Sequence, residues 1–247
     1  MSKTRLDVEL ARRKLVMSRS QAESYIKLGQ VKVDGEIANK SARLVDFKNK
    51  IEIIAEDQYV SRAGLKLASV AKVLKLDFKE KVVLDVGSST GGFTDYALRN
   101  GAAKVIAVDV GTDQLHHSLQ GHELIELHEQ TDIRNYVKSV TGSGEKFAGI
   151  DIAVADVSFI SLKEILPDVS RVMNTNGVIV AMVKPQFEAG KAQINKGIIK
   201  NEHVRRDILK DFEDWARRYF IVADKADSEV AGSKGNRERF YLLKRIK

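Results

Sequence analysis

The chain has 247 residues, 43% of them hydrophobic, with no cysteine and a formal net charge of +7. That length suits one large domain or one ordinary domain plus a small one, and the apolar share is enough for a packed core. The missing cysteine excludes disulfides, thiolate nucleophiles and cysteine metal sites, and no apolar run reaches the roughly 18–20 residues of a membrane-spanning helix.

The N-terminal residues Met1–Glu9 carry no apolar signal region, so a cytoplasmic protein is expected. No metal site is expected either: the five histidines lack ligand spacing, and the adjacent His116 and His117 are expected to diverge on a helix or strand. The basic charge is uneven. Between Arg12 and Lys32 stand six basic residues against one acid, Glu23. Such a stretch favours an anionic partner.

The first 55 or so residues read as a small unit. Thr4 is expected to cap a helix whose Leu6 and Leu10 share a face, with Asp7 at its third position. The run Ser20-Gln-Ala-Glu23 reads as a capping box for a second helix through Ala22, Tyr25 and Ile26, stopped by Gly29. "VKVDGEI", Val31–Ile37, predicts a hairpin around an Asp-Gly turn. Further strands are expected near Arg43–Val45 and Lys50–Ile54. This order, in "RLDVELARRKLVMSRSQAESYIKLGQVKVDG", resembles the S-four-like RNA-binding module. The resemblance implies a basic face for structured RNA, made here by Arg12, Arg13, Arg19, Lys27 and Lys32. A merely solvated charged face is the bland alternative. "EDQYVSR", Glu56–Arg62, reads as a linker, with Ser61 capping the next helix. The division expected is a module over 1–57, a linker at 58–61 and a large domain over 62–247.

From Ser61 onward, apolar strands alternate with amphipathic helices. Strands are predicted at Val82–Val86, Lys104–Asp109, Leu124–Leu127, Ile150–Ala155, Val178–Val183, Phe220–Ala223 and Phe240–Lys244. The clearest helix is Asn201–Tyr219, apolar at Val204, Ile208, Phe212, Trp215 and Tyr219. The pattern implies an α/β domain with a mainly parallel, doubly covered sheet and a ligand site beyond the carboxyl ends of its strands.

"VVLDVGSSTGGFTDYAL" holds the turn that identifies the ligand class. It has no lysine where a P-loop needs one, and its glycines do not follow the Gly-x-Gly-x-x-Gly dinucleotide spacing. An acid, Asp85, ends the strand, and a second acid, Asp109, ends the next in "VIAVD". Asp85 is badly placed beside a pyrophosphate but well placed beside a cationic amino-acid moiety, while Asp109 can accept from ribose hydroxyls. S-adenosylmethionine has that charge distribution. A plain structural strand-to-helix turn is the other reading. The arrangement resembles the class I S-adenosylmethionine-dependent methyltransferase fold, Rossmann-like with a seven-stranded sheet. The resemblance implies cofactor contacts from Asp85, Gly87, Ser88, Gly91, Gly92 and Asp109, with Asp132 of "QTDIR" near adenine.

Four polar groups remain near strand ends: Lys66, Asp156, Lys184 and Glu238. A Lys-Asp-Lys-Glu set in this order resembles the FtsJ-like ribose 2′-O-methyltransferases. With the N-terminal module, the stretches "VSRAGLKL", "DVGSSTGGFTDYAL", "DVSFISL", "VKPQFE" and "GNRE" make the chain similar to the TlyA family, whose members are often named haemolysins. That implies methyl transfer to cytidine 2′-hydroxyls in 16S and/or 23S ribosomal RNA, with ribosomal RNA or ribosomal subunits as partners and no membrane. Lys184 is expected to act as base or orienting group for the hydroxyl. Lys66 is expected to lower its pKa and anchor substrate, with Asp156 and Glu238 positioning both.

The chain departs from that family in two places. "GTDQLHHSLQGH" lacks an arginine expected near Leu119–Gln120, and "AGSKGNRE" is proline-free and more basic than expected. The glycine-bearing basic stretch Glu188–Arg206 is expected to move and close over RNA. Three rivals compete with the enzyme reading: a haemolysin, which needs an insertion segment the sequence lacks; a dinucleotide oxidoreductase, disfavoured by glycine spacing; and a non-catalytic RNA-binding protein, disfavoured by the intact four-residue set.

Overall fold

The computed structural model describes residues 3–55, 58–142, 149–189, 199, 201–230, 232 and 235–246. The small unit contains β1 (Thr4–Arg5), α1 (Leu6–Arg12), α2 (Arg19–Lys27), β2 (Val31–Val33), β3 (Glu36–Ile37), β4 (Leu44–Val45) and β5 (Ile51–Ile53). β1 pairs with β4, and β2 lies between β3 and β5. The hairpin forms as expected: Asp34 and Gly35 take φ of 54° and 87°, the two left-handed residues that a type I′ turn requires.

Both expected helix starts shift. Thr4 lies in β1, and the cap position of α1 is Arg5, without a side-chain cap bond. Backbone satisfies that end instead: Leu6 N–H donates to Arg43 O at 2.8 Å and Asp7 N–H to Ser41 O at 3.3 Å. α2 starts at Ser18 rather than Ser20. Ser18 Oγ accepts from Gln21 N–H at 3.2 Å, while Gln21 Oε1 accepts from Met17 N–H at 2.8 Å. The box is therefore Ser18-x-x-Gln21, a Ser-x-x-Gln pattern of the same kind two residues earlier. Glu23, freed from capping, stands 3.6 Å from Arg19.

Ser61 caps α3 (Arg62–Ala71), as expected, accepting from Ala63 N–H at 3.3 Å. Then follow β6 (Val82–Val86), α4 (Gly92–Arg99), β7 (Lys104–Val108), β8 (Ile125–His128), α5 (Ile133–Gly142), β9 (Ile150–Ala155), α6 (Leu166–Arg171), β10 (Met173–Val183), α7 (Pro185–Glu188), α8 (Glu202–Tyr219), β11 (Phe220–Asp227) and β12 (Arg239–Arg245). Among the described residues these strands form a seven-stranded sheet in the order β11-β12-β10-β9-β6-β7-β8. β12 is antiparallel to both neighbours, and the pairs from β10 to β8 are parallel. The chain winds outward from β6 to β8 and then returns to β9, so β6 and β9 flank the switch point where such sheets bind ligands.

Side chains along each strand alternate between two apolar layers. Val180 and Met182 of β10 join Phe93, Val70 and Phe240 on one face. Ile179, Ala181 and Val183 join Val169, Phe212 and Tyr241 on the other. The first layer continues through Tyr59 into Tyr25, Ile26 and Leu10 of the small unit. Gln21 Nε2 donates to Tyr59 O across that joint at 2.7 Å, and Val60 N–H donates to Asp95 of α4 at 2.8 Å. Among the described residues no helix is long and apolar enough to cross a membrane. Most of the stretch expected to move, within Glu188–Arg206, lies outside the described residues.

Candidate active site

The site grows from the carboxyl ends of β6, β7, β9 and β10. After β6 the chain turns at Gly87, φ 81°. A Cβ there would stand 2.6 Å from the Asp156 carbonyl oxygen, so only glycine lets the turn close against the end of β9. Gly92 is tight in another direction. Its Cβ would meet Ser61 Oγ at 2.3 Å and Ala63 Cβ at 2.7 Å. This glycine seats α4 against α3, and it does not line the neighbouring cavity.

A cavity of about 470 Å³ opens beside the turn, lined by Gly87, Ser89, Asp109, Val110, Gln114 and Asp132 among others. Asp109 accepts from Ser89 N–H at 2.8 Å and from Gly111 N–H at 2.7 Å. Ser89 Oγ donates to Gln114 Oε1 at 2.9 Å. Asp132 receives Arg134 through Nε and NH2 at 2.9 and 2.6 Å, and this pairing holds its carboxyl below the usual range. Val110, at the end of β7, is 73% exposed. Of the expected cofactor set, Gly87, Asp109 and Asp132 line this cavity, whereas Asp85, Ser88, Gly91 and Gly92 do not. Gln120, where an arginine was expected, donates to Leu115 O at 3.0 Å and closes its own loop.

Asp85 is buried at the end of β6. Its Oδ2 accepts from Thr94 Oγ1 at 2.7 Å, and its Oδ1 has no partner. Burial pushes this carboxyl up to about 7, and the charges of Asp156 and Asp109 push in the same direction. A buried acceptor left open invites a cationic donor.

A second cavity, of about 880 Å³, brings Lys66, Asp156, Lys184 and Glu238 together, as expected from their order in the sequence. Lys66 on α3 is 5% exposed and its Nζ lies 2.5 Å from Oε2 of Glu238, itself 2% exposed. Lys184 Nζ lies 2.5 Å from Asp156 Oδ1 and donates to Ser158 Oγ at 2.8 Å. Asp227 braces the entry to β12: it takes Arg239 at 2.7 and 2.9 Å and Arg205 at 2.8 Å, while Arg205 Nε donates to Arg237 O at 3.0 Å. Glu238 is thus held between two anchored neighbours. The two cavities share a wall made of Asp156, Ser158 and Phe159. Phe159 is 93% exposed with φ 69°, and its ring lies 5.2 Å from that of Phe187. An exposed aromatic held in a left-handed conformation is costly. Single residues such as Phe159 and Ser89 carry no periodic signal, so sequence reasoning missed them.

Sequence reasoning also missed that the small unit reaches this site: Met17, Ser18, Ser20 and Gln21 line the larger cavity. The expected RNA-binding residues divide on inspection. Arg13 donates to Asn49 O, Asp46 O and Glu9, and so ties the unit together from within. Arg12 pairs with Glu9 at 2.7 Å and Arg19 with Asp7 at 2.7 Å, both guanidiniums remaining half or more exposed. Burial alone would raise Asp7, but Arg5 and Arg19 bring it down to about 2. The Arg12 bond, with Arg13, does the same for Glu9. The acids of α1 therefore neutralise part of the basic stretch that follows. Glu9 and Arg13 stand at i and i+4, a pairing the sequence displays. His116 and His117 correct another expectation. They lie outside helix and strand, and their rings are 4.1 Å apart instead of diverging.

The FtsJ-like methyltransferase family model matches residues 59–245, and that of the S4 domain matches residues 4–51. The 16S/23S rRNA (cytidine-2′-O)-methyltransferase TlyA of Mycobacterium tuberculosis is 36% identical over 251 residues, covering 98% of this chain and 90% of that protein. The chain belongs to the TlyA family of FtsJ-like methyltransferases. Another relative, Hemolysin A of Brachyspira hyodysenteriae, is 35% identical over 224 residues, covering 90% of this chain and 91% of that protein. A solved structure from Streptococcus thermophilus, provisionally named a hemolysin, is 35% identical with a TM-score of 0.72, covering 100% of this chain and 90% of that one. Both cavities and all four polar groups lie in or against the FtsJ-like portion of this TlyA-family chain, and the S4 portion supplies Met17, Ser18, Ser20 and Gln21 to the larger cavity wall.

Proposed function

We propose that the protein transfers a methyl group from S-adenosylmethionine to cytidine 2′-hydroxyls of 16S or 23S ribosomal RNA, or of both. The observation that carries this reading is the shared wall: a cofactor-sized cavity meets a lysine-rich cavity at Asp156, Ser158 and Phe159. The names of the TlyA relatives agree with it.

The residues present fit the cofactor. Asp85, buried behind the turn with one oxygen unpartnered, attracts its ammonium by charge, Asp109 offers acceptors for its ribose hydroxyls, and Val110 and Asp132 border the place for its adenine. When bound, S-adenosylmethionine supplies an electrophilic methyl on a sulfonium. Lys184, held between Asp156 and Ser158, has N–H donors to aim at the 2′-oxygen and thereby orients its lone pair. The Asp156 carboxylate against it is an acceptor for the departing proton. Lys66, fixed by Glu238, places a second positive charge in the same cavity for the nucleotide's phosphate. The exposed Arg12, Arg19 and Lys27 of the small unit, with the half-buried Lys32, hold the surrounding RNA, while Arg13 keeps that unit in shape.

Phe159 stands where a base attached to the target ribose can stack. Phe159→Ala is expected to lower kcat/KM for RNA about tenfold, from a stacking loss of ~1–3 kcal/mol, with a smaller loss of cofactor affinity because the residue also borders the cofactor cavity. Steady-state kinetics with each substrate varied in turn checks this, and an unchanged RNA term contradicts it.

Asp85 makes cofactor binding pH-dependent. Free, its carboxyl titrates near 7 instead of its ordinary 3.8, so below about pH 7 it is mostly protonated. An ammonium partner favours the ionised form, so binding there must expel a proton. Affinity is therefore expected to fall as pH drops below 7, approaching about tenfold per unit. Calorimetry from pH 5 to 8 reads both affinity and proton release. Asp85→Asn is expected to remove the dependence. The reaction itself is tested by transfer of labelled methyl from S-adenosylmethionine to ribosomal subunits that lack the modification. Label in RNA supports the proposal, and no label despite cofactor binding overturns it.

A further inference from the structure

The reaction as proposed leaves one half-buried carboxylate without a role. Glu188 ends α7 and is the last residue of the "VKPQFE" stretch that carries Lys184. Its Oε2 accepts from Ser161 Oγ at 2.5 Å and its Oε1 from Leu162 N–H at 2.8 Å. Ser161 and Leu162 belong to "DVSFISL", the stretch after β9 that carries Asp156, Ser158 and Phe159. Ser161 also caps the short 3-10 turn Leu162–Glu164, accepting from Lys163 N–H at 3.1 Å. One carboxylate therefore joins the two segments that hold the reactive groups.

Nearer the cavity the same two segments touch through reactive side chains: Lys184 on Asp156 and Ser158, and Phe159 against Phe187. Those contacts must exchange partners when a nucleotide enters. The Glu188 contacts need not, because neither Glu188, Ser161 nor Leu162 lines the lysine-rich cavity. Burial raises the Glu188 carboxyl, and the two hydrogen bonds and the Lys163 charge work against that rise. A half-buried carboxylate held on two donors of a neighbouring segment is a fastener.

We propose that Glu188 is a positioning residue that holds the Asp156–Phe159 segment in register with Lys184 while substrate displaces the contacts in the cavity. The proposal rests on the methyl-transfer reading. Glu188→Ala is expected to lower kcat at least tenfold, with KM for S-adenosylmethionine changed less than threefold. Glu188→Gln keeps one acceptor for the Leu162 amide and is expected to recover part of that loss. Ser161→Ala combined with Glu188→Ala is expected to be no worse than Glu188→Ala alone, the non-additivity of a shared contact. Full activity of folded Glu188→Ala, a loss carried wholly by the cofactor KM, or additive effects each overturn the proposal. Amide exchange at Leu162 separates this idea from the reaction on which it rests. If wild-type protein methylates no RNA, the reaction reading falls. The clamp then stands on faster Leu162 exchange in Glu188→Ala, and equal exchange overturns it.

Discussion

Lys184→Ala is expected to lower kcat for RNA methylation by about 10²–10³-fold, the usual cost of removing a preorganised donor at the reacting oxygen. The lysine reaches this position because β10 ends at Val183 and places residue 184 at the sheet edge, against Asp156 at the end of β9. Removing it leaves Asp156 unpaired beside the hydroxyl and removes the donor that aims the lone pair. Cofactor affinity is expected to hold, because Lys184 lines only the larger of the two cavities. Lys184→Arg should rescue little. A planar guanidinium cannot place a compact charge between Asp156 and Ser158 as an ammonium does. Single-turnover transfer with bound cofactor reads the step directly. Activity within threefold of wild type in a folded Lys184→Ala protein would remove Lys184 from the reaction.

The second large effect falls on stability. Lys66 and Glu238 are both nearly inaccessible and pair at 2.5 Å. Glu238→Ala strands a buried ammonium and is expected to cost about 3–5 kcal/mol of unfolding free energy. Lys66→Met combined with Glu238→Leu replaces the pair by apolar groups of similar size. It is expected to regain most of that stability while remaining inactive. Denaturant unfolding of the single and double variants, with methyl transfer measured alongside, separates the two roles. A pair kept for chemistry shows this split between stability and activity. Equal stability of wild type and Glu238→Ala would mean that Lys66 finds another partner or leaves the interior.

The sheet was legible because its strands are apolar runs stopped by a glycine, an acid or a lysine: Val82–Val86 before Gly87, Lys104–Val108 before Asp109, Ile150–Ala155 before Asp156 and Met173–Val183 before Lys184. Burial on both faces writes that pattern directly into the sequence. Helix starts were less legible. Ser18 and Ser20 are both good caps, and the choice between them fell to Gln21, whose side chain also reaches Met17 N–H and Tyr59 O. The four polar groups were legible as a set. Their pairing was not, because Lys66–Glu238 joins a helix before the first large-unit strand to the entrance of the last. The charge of the small unit misled for a related reason: Asp7 and Glu9 lie just upstream of the basic stretch and are buried against it. Phe159 and Glu188 stand out by position alone, and one exposed aromatic or one half-buried acid leaves no periodic trace.

The most direct test of the account is the site of the transferred methyl. Separated, unmodified small and large ribosomal subunits are incubated with the protein and labelled S-adenosylmethionine. Their RNA is then hydrolysed in alkali, which spares only the linkage beside a methylated ribose. The account predicts label in alkali-resistant dinucleotides that begin with cytidine, in at least one subunit, lost with Lys184→Ala. Label released in mononucleotides would place the methyl on a base and contradict it.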